Sequence, residues 1–262
     1  MRWEHLTGAT FEEAVKQAQG VCVIPIGVIE YHGPHLPLGT DMMQCHAVAC
    51  AAAEREPVIV YPTYHFGVNV ETKHYPGGIV IKDKLLFELL ENICEEVSRN
   101  GLKKIVLLNG HGGNRYFLPL FVQLALDKKK DYTPYYVASY VSDPELFRRV
   151  METQFHGHAC ECETSVGLHC YPDLVRMDLL DQEKWWPNQQ RLSHLEEVYT
   201  PADWSAQYPE HCAGDPRPAT AEKGKILFQS QVERLAKLLG EIKKDTVAPG
   251  VYAEFGERLY QR

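Results

Sequence analysis

The chain has 262 residues and a formal net charge of −8 at pH 7, with 45% hydrophobic and 24% charged residues. The composition is typical of a soluble protein, and the net negative charge argues against nucleic acid or an anionic membrane as a partner. No apolar stretch is long enough to cross a bilayer, and the N-terminus lacks the regions of a signal peptide, so a cytoplasmic location is expected.

The predicted elements alternate between helices and strands. A capping box that begins at Thr10 predicts a short first helix, which ends at about Ala18. Further helices are predicted at about 42–54, 83–100, 115–126 and 221–244, and strands at about 21–29, 58–61, 105–108 and 135–140. Such alternation predicts an α/β fold with three layers, α/β/α, around a mostly parallel central sheet.

No linker, internal repeat or low-complexity tract divides the chain, so a single domain over residues 1–262 is predicted. The segment at about 180–218 holds three of the four tryptophans and is predicted to form an irregular flap. The eight cysteines are expected to be reduced thiols. Cys160 and Cys162 flank Glu161 and are conceivable metal ligands, but they lack the second cysteine pair of a structural zinc site. Four others are expected to pack as small core residues: Cys22, Cys45, Cys50 and Cys94.

Three short segments carry residue types that bind metal ions. Glu30 and His32 follow the strand predicted at 21–29, and residues two apart in extended chain share a face. Asp41 comes after a loop rich in glycine and proline, which can fold it back toward them. His111 follows another predicted strand, and a third segment begins at His158. Five potential ligands are too many for one tetrahedral zinc and suit two divalent ions, of the zinc, manganese or iron kind, that share a carboxylate.

Each of these residues also has an ordinary structural interpretation. Glu30 and His32 can form a hydrogen-bonded pair, Asp41 can be the N-cap of the next helix, and His111 can cap the helix that follows it. The glycines at 112 and 113 can cradle a phosphate, although no Walker lysine or dinucleotide glycine spacing accompanies them. The remaining histidines are expected to be surface or hydrogen-bonded residues, among them His35, His46, His65, His169, His194 and His211. The order of the three segments favours the metal site.

Four segments, between about residues 20 and 243, carry a resemblance to a known family. They are Glu30-x-His32-Gly33-x-His35-Leu36-Pro37-x-x-Thr40-Asp41, Asn109-Gly110-His111-Gly112-Gly113-Asn114, His158-Ala159-x-x-x-Glu163-Thr164-Ser165 and Gly214-Asp215-Pro216-Arg217-x-Ala219-Thr220-Ala221-Glu222-Lys223-Gly224. In this order they resemble signature segments of the creatininase (creatinine amidohydrolase) family. The resemblance implies a creatininase-like α/β/α fold, two divalent metal ions, hydrolysis of a C–N bond in a cyclic amide, and a ring-like homohexamer.

The resemblance also implies roles for single residues. Glu30, Asp41 and His111 would hold one ion, and His32 and Asp41 would hold the other together with a further carboxylate. In creatininase that carboxylate resembles a Glu two residues after the His111 position, where this chain has Gly113. His158 matches the proton-transfer histidine of the family. Zinc is the ion favoured first, with manganese or iron as alternatives.

Glu163 is predicted to complete the second metal site in place of the missing carboxylate, with Glu161 as a possible outer partner. If residues 163–165 open a helix, side chains two apart diverge by about 200° around the axis, and only one of the two glutamates faces the metals. If the segment is extended, both point the same way, and Glu161 remains open as a ligand or an outer partner.

The sequence does not identify the substrate or the residues that bind it. Aromatic positions expected around a creatinine ring are not matched, because Thr153-Gln154-Phe155-His156 stands where a Trp is expected before the proton-transfer histidine. We therefore predict a metal-dependent hydrolase that opens a ring or cleaves a C–N bond in a small polar metabolite other than creatinine. Three alternatives stay open: a formamide or peptide-tail hydrolase, a C–C hydrolase of a cyclic polyol ketone, and a non-catalytic metal-dependent binding protein.

Overall fold

Four parallel strands form the central sheet of the computed structural model, which describes residues 1–128, 130–139, 143–181, 183–184 and 186–259. In chain order the strands are β1 (Val21–Ile26), β2 (Ile59–Val60), β3 (Lys104–Asn109) and β4 (Thr133–Ala138), and their order in the sheet is β2-β1-β3-β4. A separate antiparallel pair joins β5 (His156–His158) to β6 (Ala213–Gly214). Because the four strands are parallel, their carboxyl ends lie at one edge, where ligands bind in such sheets.

Nine helices are described along the same ranges, together with short 3₁₀ turns. The helices are α1 (Gly8–Gln17), α2 (Thr40–Arg55), α3 (Asp83–Arg99), α4 (Asn114–Leu124), α5 (Pro144–Val150), α6 (Glu161–Cys170), α7 (Asp203–Gln207), α8 (Ala221–Lys244) and α9 (Val247–Leu259). The 3₁₀ turns are Trp3–His5, Val70–His74, Ala125–Asp127, Pro172–Leu174 and Met177–Leu179. Within the described part of the chain, no helix is both long enough and apolar enough to cross a membrane.

Alternating side chains of the buried strands divide the core into two layers. On one face of the sheet, Ile24 and Leu107 pack with the apolar sides of α3 and α4. On the other face, Val23 and Val106 pack with the apolar sides of α2 and α8. Strands that are covered on both faces bury a continuous apolar run, which is what the β1 sequence shows. The predicted three-layer α/β/α arrangement with a parallel sheet is confirmed.

Helix α2 starts directly against the end of β1, and Gly27 allows this approach. A Cβ at Gly27 would lie 2.3 Å from the backbone nitrogen of Met42, so a side chain there would push the helix away from the sheet. Asp41 precedes Met42 and therefore lies at the carboxyl edge of the sheet. A second close approach joins α8 to α6, since a Cβ at Gly224 would lie 1.8 Å from the carbonyl oxygen of Ser165.

Several element boundaries differ from the sequence predictions. β1 ends at Ile26 and not near 29, so Glu30 and His32 lie on irregular chain beyond the strand. The capping box predicted to begin at Thr10 is wrong: α1 begins at Gly8, and Thr10 is in its first turn, where its Oγ1 accepts a hydrogen bond from the Thr7 N–H at 3.0 Å.

The remaining differences lie downstream. The N-cap of α2 is Gly39, so the N-cap interpretation of Asp41 is also wrong. The strand predicted at 135–140 is β4, which ends at Ala138, and Tyr140 lies outside the described residues. Helix α9 was not predicted, since its first turn contains both Pro249 and Gly250. In the segment 180–218, the regular elements among the described residues are α7 and β6. That the whole chain is one domain stays a prediction.

Candidate metal centre

Carboxylate and imidazole side chains from five places in the chain meet at the carboxyl edge of the sheet. Glu30 and His32 lie on the loop after β1, Asp41 in the first turn of α2, His111 just after β3, and His158 at the end of β5. All five are buried, and none is more than 6% exposed. The sixth predicted residue, Glu163, reaches the same place from the first turn of α6.

The first of two adjoining groups consists of Glu30, Asp41 and His111. One ligand-type atom from each lies within 4.8 Å of the others. His111 Nδ1 is 2.8 Å from Asp41 Oδ2 and 3.2 Å from Glu30 Oε1. Two carboxylate oxygens and an imidazole nitrogen therefore converge on one small volume.

The second group consists of His32, His158 and Glu163, whose ligand-type atoms also lie within 4.8 Å of one another. His32 Nε2 is 3.0 Å from Asp41 Oδ1. Asp41 thus directs one oxygen to the histidine of each group, Oδ1 to His32 and Oδ2 to His111. This is the arrangement that a carboxylate shared by two cations requires.

Backbone carbonyls fix the orientation of three imidazoles. His32 Nδ1 donates to Glu30 O at 3.2 Å, His111 Nε2 to Val68 O at 3.0 Å, and His158 Nε2 to Tyr31 O at 2.7 Å. Because a carbonyl oxygen only accepts, these nitrogens carry the hydrogen, and the other nitrogen of each neutral ring presents its lone pair to the cluster. Metal-binding histidines are usually oriented by such outer hydrogen bonds.

Glu161 and Glu163 point in different directions, because α6 is helical from Glu161 onward. Glu163 Oε2 accepts a hydrogen bond from the Ala159 N–H at 2.5 Å on the side of the cluster. Glu161 bonds instead to Lys223 Nζ at 2.6 Å and to the Thr153 N–H at 2.8 Å. Glu161 belongs to none of the ligand groups found among the described residues.

Gly113 leaves no room for a carboxylate at its position. A Cβ there would lie 2.2 Å from Val68 O and 2.5 Å from His111 Nε2. The backbone conformation of Gly113 is right-handed helical, with φ −62° and ψ −24°, so steric contact and not torsion excludes a side chain. A longer residue would displace the carbonyl that orients His111.

Burial and mutual charge set the pKa values of the first group. Burial acts to raise the pKa of Glu30, but the imidazoles of His111, His211 and His158 outweigh it and hold that pKa well below its usual value. Burial acts to lower the pKa of His111, yet the carboxylates of Glu30 and Asp41 raise it well above its usual value. An unpaired buried charge costs several kcal/mol, so the metal-free cluster compensates its carboxylates with protonated imidazoles.

In the second group the pKa values of the two histidines shift in opposite directions. Burial acts against a charge on His32, but Asp41 raises its pKa to about 9. Burial, reinforced by the charge of His32, lowers the pKa of His158 to about 3. Burial raises the pKa of Glu163 to about 7, with His32 opposing and Asp41 adding to the effect. His158 is therefore a neutral imidazole beside a charged one.

The donor set fits divalent metal ions. Both carboxylate oxygens of Glu30 are buried without a hydrogen-bond partner in the described part of the chain, although imidazole nitrogens lie 3.2 to 3.8 Å away. Buried carboxylate oxygens of this kind are satisfied when they coordinate a cation. The cysteines do not contribute: all eight are free, Cys160 and Cys162 belong to none of the ligand groups found among the described residues, and burial raises the pKa of Cys160 to about 12.

His211 is the residue that the sequence interpretation missed. It is hydrogen-bonded, as expected of the remaining histidines, since Trp204 Nε1 donates to its Nδ1 at 3.0 Å, but it is also buried beside the cluster, and its Nε2 lies 3.8 Å from Glu30 Oε2. Its ring centroid is 4.9 Å from that of His158. Its position shortly before the segment 214–224 was the available signal. His35 is hydrogen-bonded as expected, with Nε2 2.8 Å from Thr164 Oγ1.

A cavity of about 520 Å³ adjoins the cluster where Asp41 and Glu163 line its wall. Amide and aromatic side chains form other parts of the lining, among them Gln44, Gln154 and Phe155. A mostly apolar pocket with a few polar groups beside perturbed ionisable residues is the usual setting of an active site.

Comparison with known proteins identifies the family. The family model for creatininase, described as creatinine amidohydrolase, matches residues 4–239. The chain belongs to the creatininase family. Its named relatives are hydrolases, so the chain is a metal-dependent hydrolase.

Three curated relatives cover most of the chain but carry different names. Creatinine amidohydrolase of Pseudomonas putida is 28% identical over 90% of this chain and 95% of its own. The mycofactocin precursor peptide peptidase of Mycolicibacterium smegmatis is 31% identical over 82% of each chain. The 3-dehydro-scyllo-inosose hydrolase of Thermotoga maritima is 23% identical over 92% of this chain and 83% of its own.

Solved creatininases share the fold. The Zn-Zn type of a mutant creatininase has a TM-score of 0.80 at 25% identity and covers 93% of this chain and 98% of its own. A manganese creatininase has a TM-score of 0.78 at the same identity, with 93% and 99% covered. Together with the ligand groups described above, these forms support binding of divalent metal by this chain.

We predict that metal binding releases protons and strengthens as the pH rises. The raised pKa values of His32 and His111 mean that both rings are protonated at pH 7 without metal, and an ion must displace the hydrogen that faces Asp41. The apparent affinity for Zn²⁺ should therefore rise about tenfold per pH unit for each proton released, between about pH 6 and 8. Calorimetry in buffers of different ionisation enthalpy counts the protons. We expect about two protons per chain from the imidazoles and, near pH 7, part of a third from Glu163, whose pKa is about 7. A heat independent of the buffer would contradict this.

Proposed function

We propose that this chain is a hydrolase with two divalent metal ions, which opens a ring or cleaves a C–N bond in a small polar metabolite other than creatinine. The observation that carries this proposal is the position of Asp41, with one carboxylate oxygen 3.0 Å from His32 Nε2 and the other 2.8 Å from His111 Nδ1. Family membership supports the hydrolytic activity.

In the proposed assignment, Glu30, Asp41 and His111 hold one ion, and His32, Asp41 and Glu163 hold the other. The first group of converging ligand atoms supports the first set. The second group supports a role for His32 and Glu163 and also contains His158, to which we assign proton transfer, while Asp41 Oδ1 is 3.0 Å from His32 Nε2. The exclusion of a side chain at position 113 supports Glu163 as the further carboxylate. Zinc is proposed first, with manganese or iron as alternatives. We also propose one catalytic domain, a homohexamer as the family resemblance implies, and a cytoplasmic location.

The metal ions and the chain divide the chemistry between them. When bound, a pair of divalent ions polarises a substrate carbonyl and lowers the pKa of a water molecule to about 7. His158 is the proposed proton carrier: its Nε2–H is held by Tyr31 O at 2.7 Å, and the lone pair of its Nδ1 faces the cluster, 3.6 Å from Glu30 Oε1. It would take at Nδ1 the proton that the attacking water releases and deliver it to the leaving group as the bond to the carbonyl carbon breaks.

The three differently named relatives support different bond classes for the substrate. A creatinine amidohydrolase opens a cyclic amide, and this class is the first candidate. The peptidase, at 31% identity, favours a peptide tail or formamide as the second. The inosose hydrolase favours a cyclic polyol ketone as the third. All three classes present a carbonyl group, so one centre suits each of them. A non-catalytic binding protein does not agree with the named relatives, which are hydrolases.

Metal stoichiometry tests the ligand assignment. We predict about two ions per chain in the wild type, none in Asp41→Ala, about one in Glu163→Gln and two in Glu161→Gln. The two glutamine variants are matched, because each replaces a carboxylate of α6 by an isosteric amide and only Glu163 faces the cluster. Loss of an ion from Glu161→Gln, with both retained in Glu163→Gln, would show that the assignment is reversed.

Kinetics of a variant at His158 test its role as proton carrier. His158→Gln should keep both ions and the fold but reduce kcat by about 10²–10⁴-fold, the usual effect of losing a general acid or base. The measurement combines kcat with metal content in one preparation. If the variant loses one ion, His158 is a ligand and not a proton carrier.

A substrate panel tests the proposed specificity. Small lactams, formamides and cyclic polyol ketones are compared with creatinine on metal-replete protein. Creatinine should be a poor substrate, because the Trp expected before the proton-transfer histidine is replaced, and Gln154 and Phe155 line the cavity there. Faster turnover of creatinine than of every other cyclic amide would overturn this prediction.

A further inference from the structure

His211 occupies an unusual position for a histidine outside the predicted site. It is 2% exposed, and its Nε2 has no hydrogen-bond partner among the described residues although it points at the Glu30 carboxylate. Its backbone φ is 60°, in the left-handed region that side chains other than glycine adopt at a cost in free energy. Such strain persists only where the surroundings determine the conformation, and it clusters at functional sites.

Trp204 fixes which nitrogen of His211 carries the hydrogen. The indole Nε1–H of Trp204 donates to His211 Nδ1 at 3.0 Å. An indole N–H only donates, so Nδ1 must accept with its lone pair, and the neutral ring then carries its hydrogen on Nε2. The group that His211 presents to the cluster is therefore an N–H.

The other three histidines of the cluster have the opposite arrangement. His32, His111 and His158 each donate to a backbone carbonyl, so the inward nitrogen of each ring is the one that offers a lone pair to a metal ion once any proton on it has been displaced. Although Glu30, His158 and His211 bring three ligand-type atoms within 4.8 Å, coordination by His211 Nε2 would require that nitrogen to lose its hydrogen while Nδ1 still accepts one. That state is an imidazolate, so the hydrogen bond from Trp204 opposes a ligand role.

We propose that His211 is a catalytic residue whose Nε2–H donates a hydrogen bond to the carbonyl oxygen of the substrate, and that Trp204 is a positioning residue that keeps the hydrogen on Nε2. The proposal rests on the hydrolysis proposed above. The hydrogen bond strengthens as negative charge develops on that oxygen in the transition state, and buried, preoriented donors are the most effective kind. A carbonyl oxygen is common to cyclic amides, formamides and ketones, so one donor serves every substrate class considered.

The flap that carries His211 is attached to the cluster by aromatic contacts. Tyr75 donates its hydroxyl hydrogen to Pro209 O at 3.0 Å, and its ring stacks on Tyr31 at 4.5 Å between centroids. Tyr31 lies between the proposed ligands Glu30 and His32, and its carbonyl orients His158. The irregular segment thus delivers a donor to the centre and is positioned by the same loop that supplies the metal ligands.

The tautomer of His211 and the zinc content of its variants test the donor assignment, and neither measurement requires a substrate. In zinc-loaded protein labelled with ¹⁵N at histidine, a long-range ¹H–¹⁵N correlation spectrum should show the Nε2–H tautomer for His211, identified by its absence from His211→Gln. Trp204→Phe should shift this signal toward a mixture of tautomers. Both His211→Phe and His211→Gln should keep two zinc ions. An Nδ1–H tautomer in the wild type, or loss of an ion from His211→Phe, would overturn the proposal.

The third readout is kcat/KM. It is measured with the compound of the substrate panel that the wild type turns over fastest. His211→Phe should lower kcat/KM by about 10²–10³-fold, as removal of an oxyanion donor does. His211→Gln keeps an N–H near the position of Nε2, so its kcat/KM should be at least about tenfold higher than that of His211→Phe. The kcat/KM of Trp204→Phe should be about tenfold below that of the wild type. Wild-type kcat/KM in His211→Phe would overturn the proposal.

The matched control is Trp186→Phe, whose indole donates to Glu210 Oε2 at 2.8 Å in the same flap. It should change neither the tautomer of His211 nor kcat/KM, and an effect equal to that of Trp204→Phe would overturn the positioning role of Trp204. If the wild type turns over no compound of the panel, the proposed function fails. The spectrum and the zinc content still confirm or overturn the donor assignment in that case.

Discussion

The carboxylate of Asp41 lies between two buried imidazoles, and the rest of the centre is arranged around it. Its two oxygens face His32 and His111, whose outer nitrogens are held by the carbonyls of Glu30 and Val68. Asp41 reaches this place because α2 packs against Gly27 at the end of β1. The absence of a side chain at Gly27 therefore allows the Asp41 carboxylate to lie at the edge of the sheet.

Helix α6 is held by the segment 214–224, and this determines which of its two acidic side chains enters the centre. Lys223 pairs with the fully buried Glu161, and the Thr220 N–H donates to Ser165 Oγ at 3.2 Å. Close contact of Gly224 with Ser165 brings α8 against the same helix. Glu161 is thus paired with α8, while Glu163, two residues later, lies with His32 and His158. Removing one partner of a buried ion pair costs about 3–5 kcal/mol, which stabilises this orientation of α6.

The sequence predicted the layers of the fold and the residue types of the centre because both follow from local patterns. Continuous apolar runs predicted β1 and β3, and the helical spacing of apolar residues predicted the bounds of α8 at 221–244. The strand predicted to run to about residue 29 ends at Ile26, so Glu30 and His32 reach the cluster from an irregular loop and not from the end of the strand. The position of His211 near the segment 214–224 was the one signal in the sequence, and it was not enough to identify the residue, because its proposed role depends on Trp204, on a left-handed backbone conformation and on an irregular segment without periodicity. The choice between Glu161 and Glu163 depended on whether this segment is helical or extended, which the sequence left open and which the start of α6 at Glu161 answers.

The most direct test of the account is a crystal structure of zinc-loaded protein, with anomalous diffraction recorded on both sides of the zinc absorption edge. The account predicts two anomalous peaks about 3.5–4 Å apart, the spacing of paired catalytic ions, with one oxygen of Asp41 on each. Glu30 and His111 should contact the first peak, and His32 and Glu163 the second. A single peak, or two peaks that Asp41 does not join, would contradict the account.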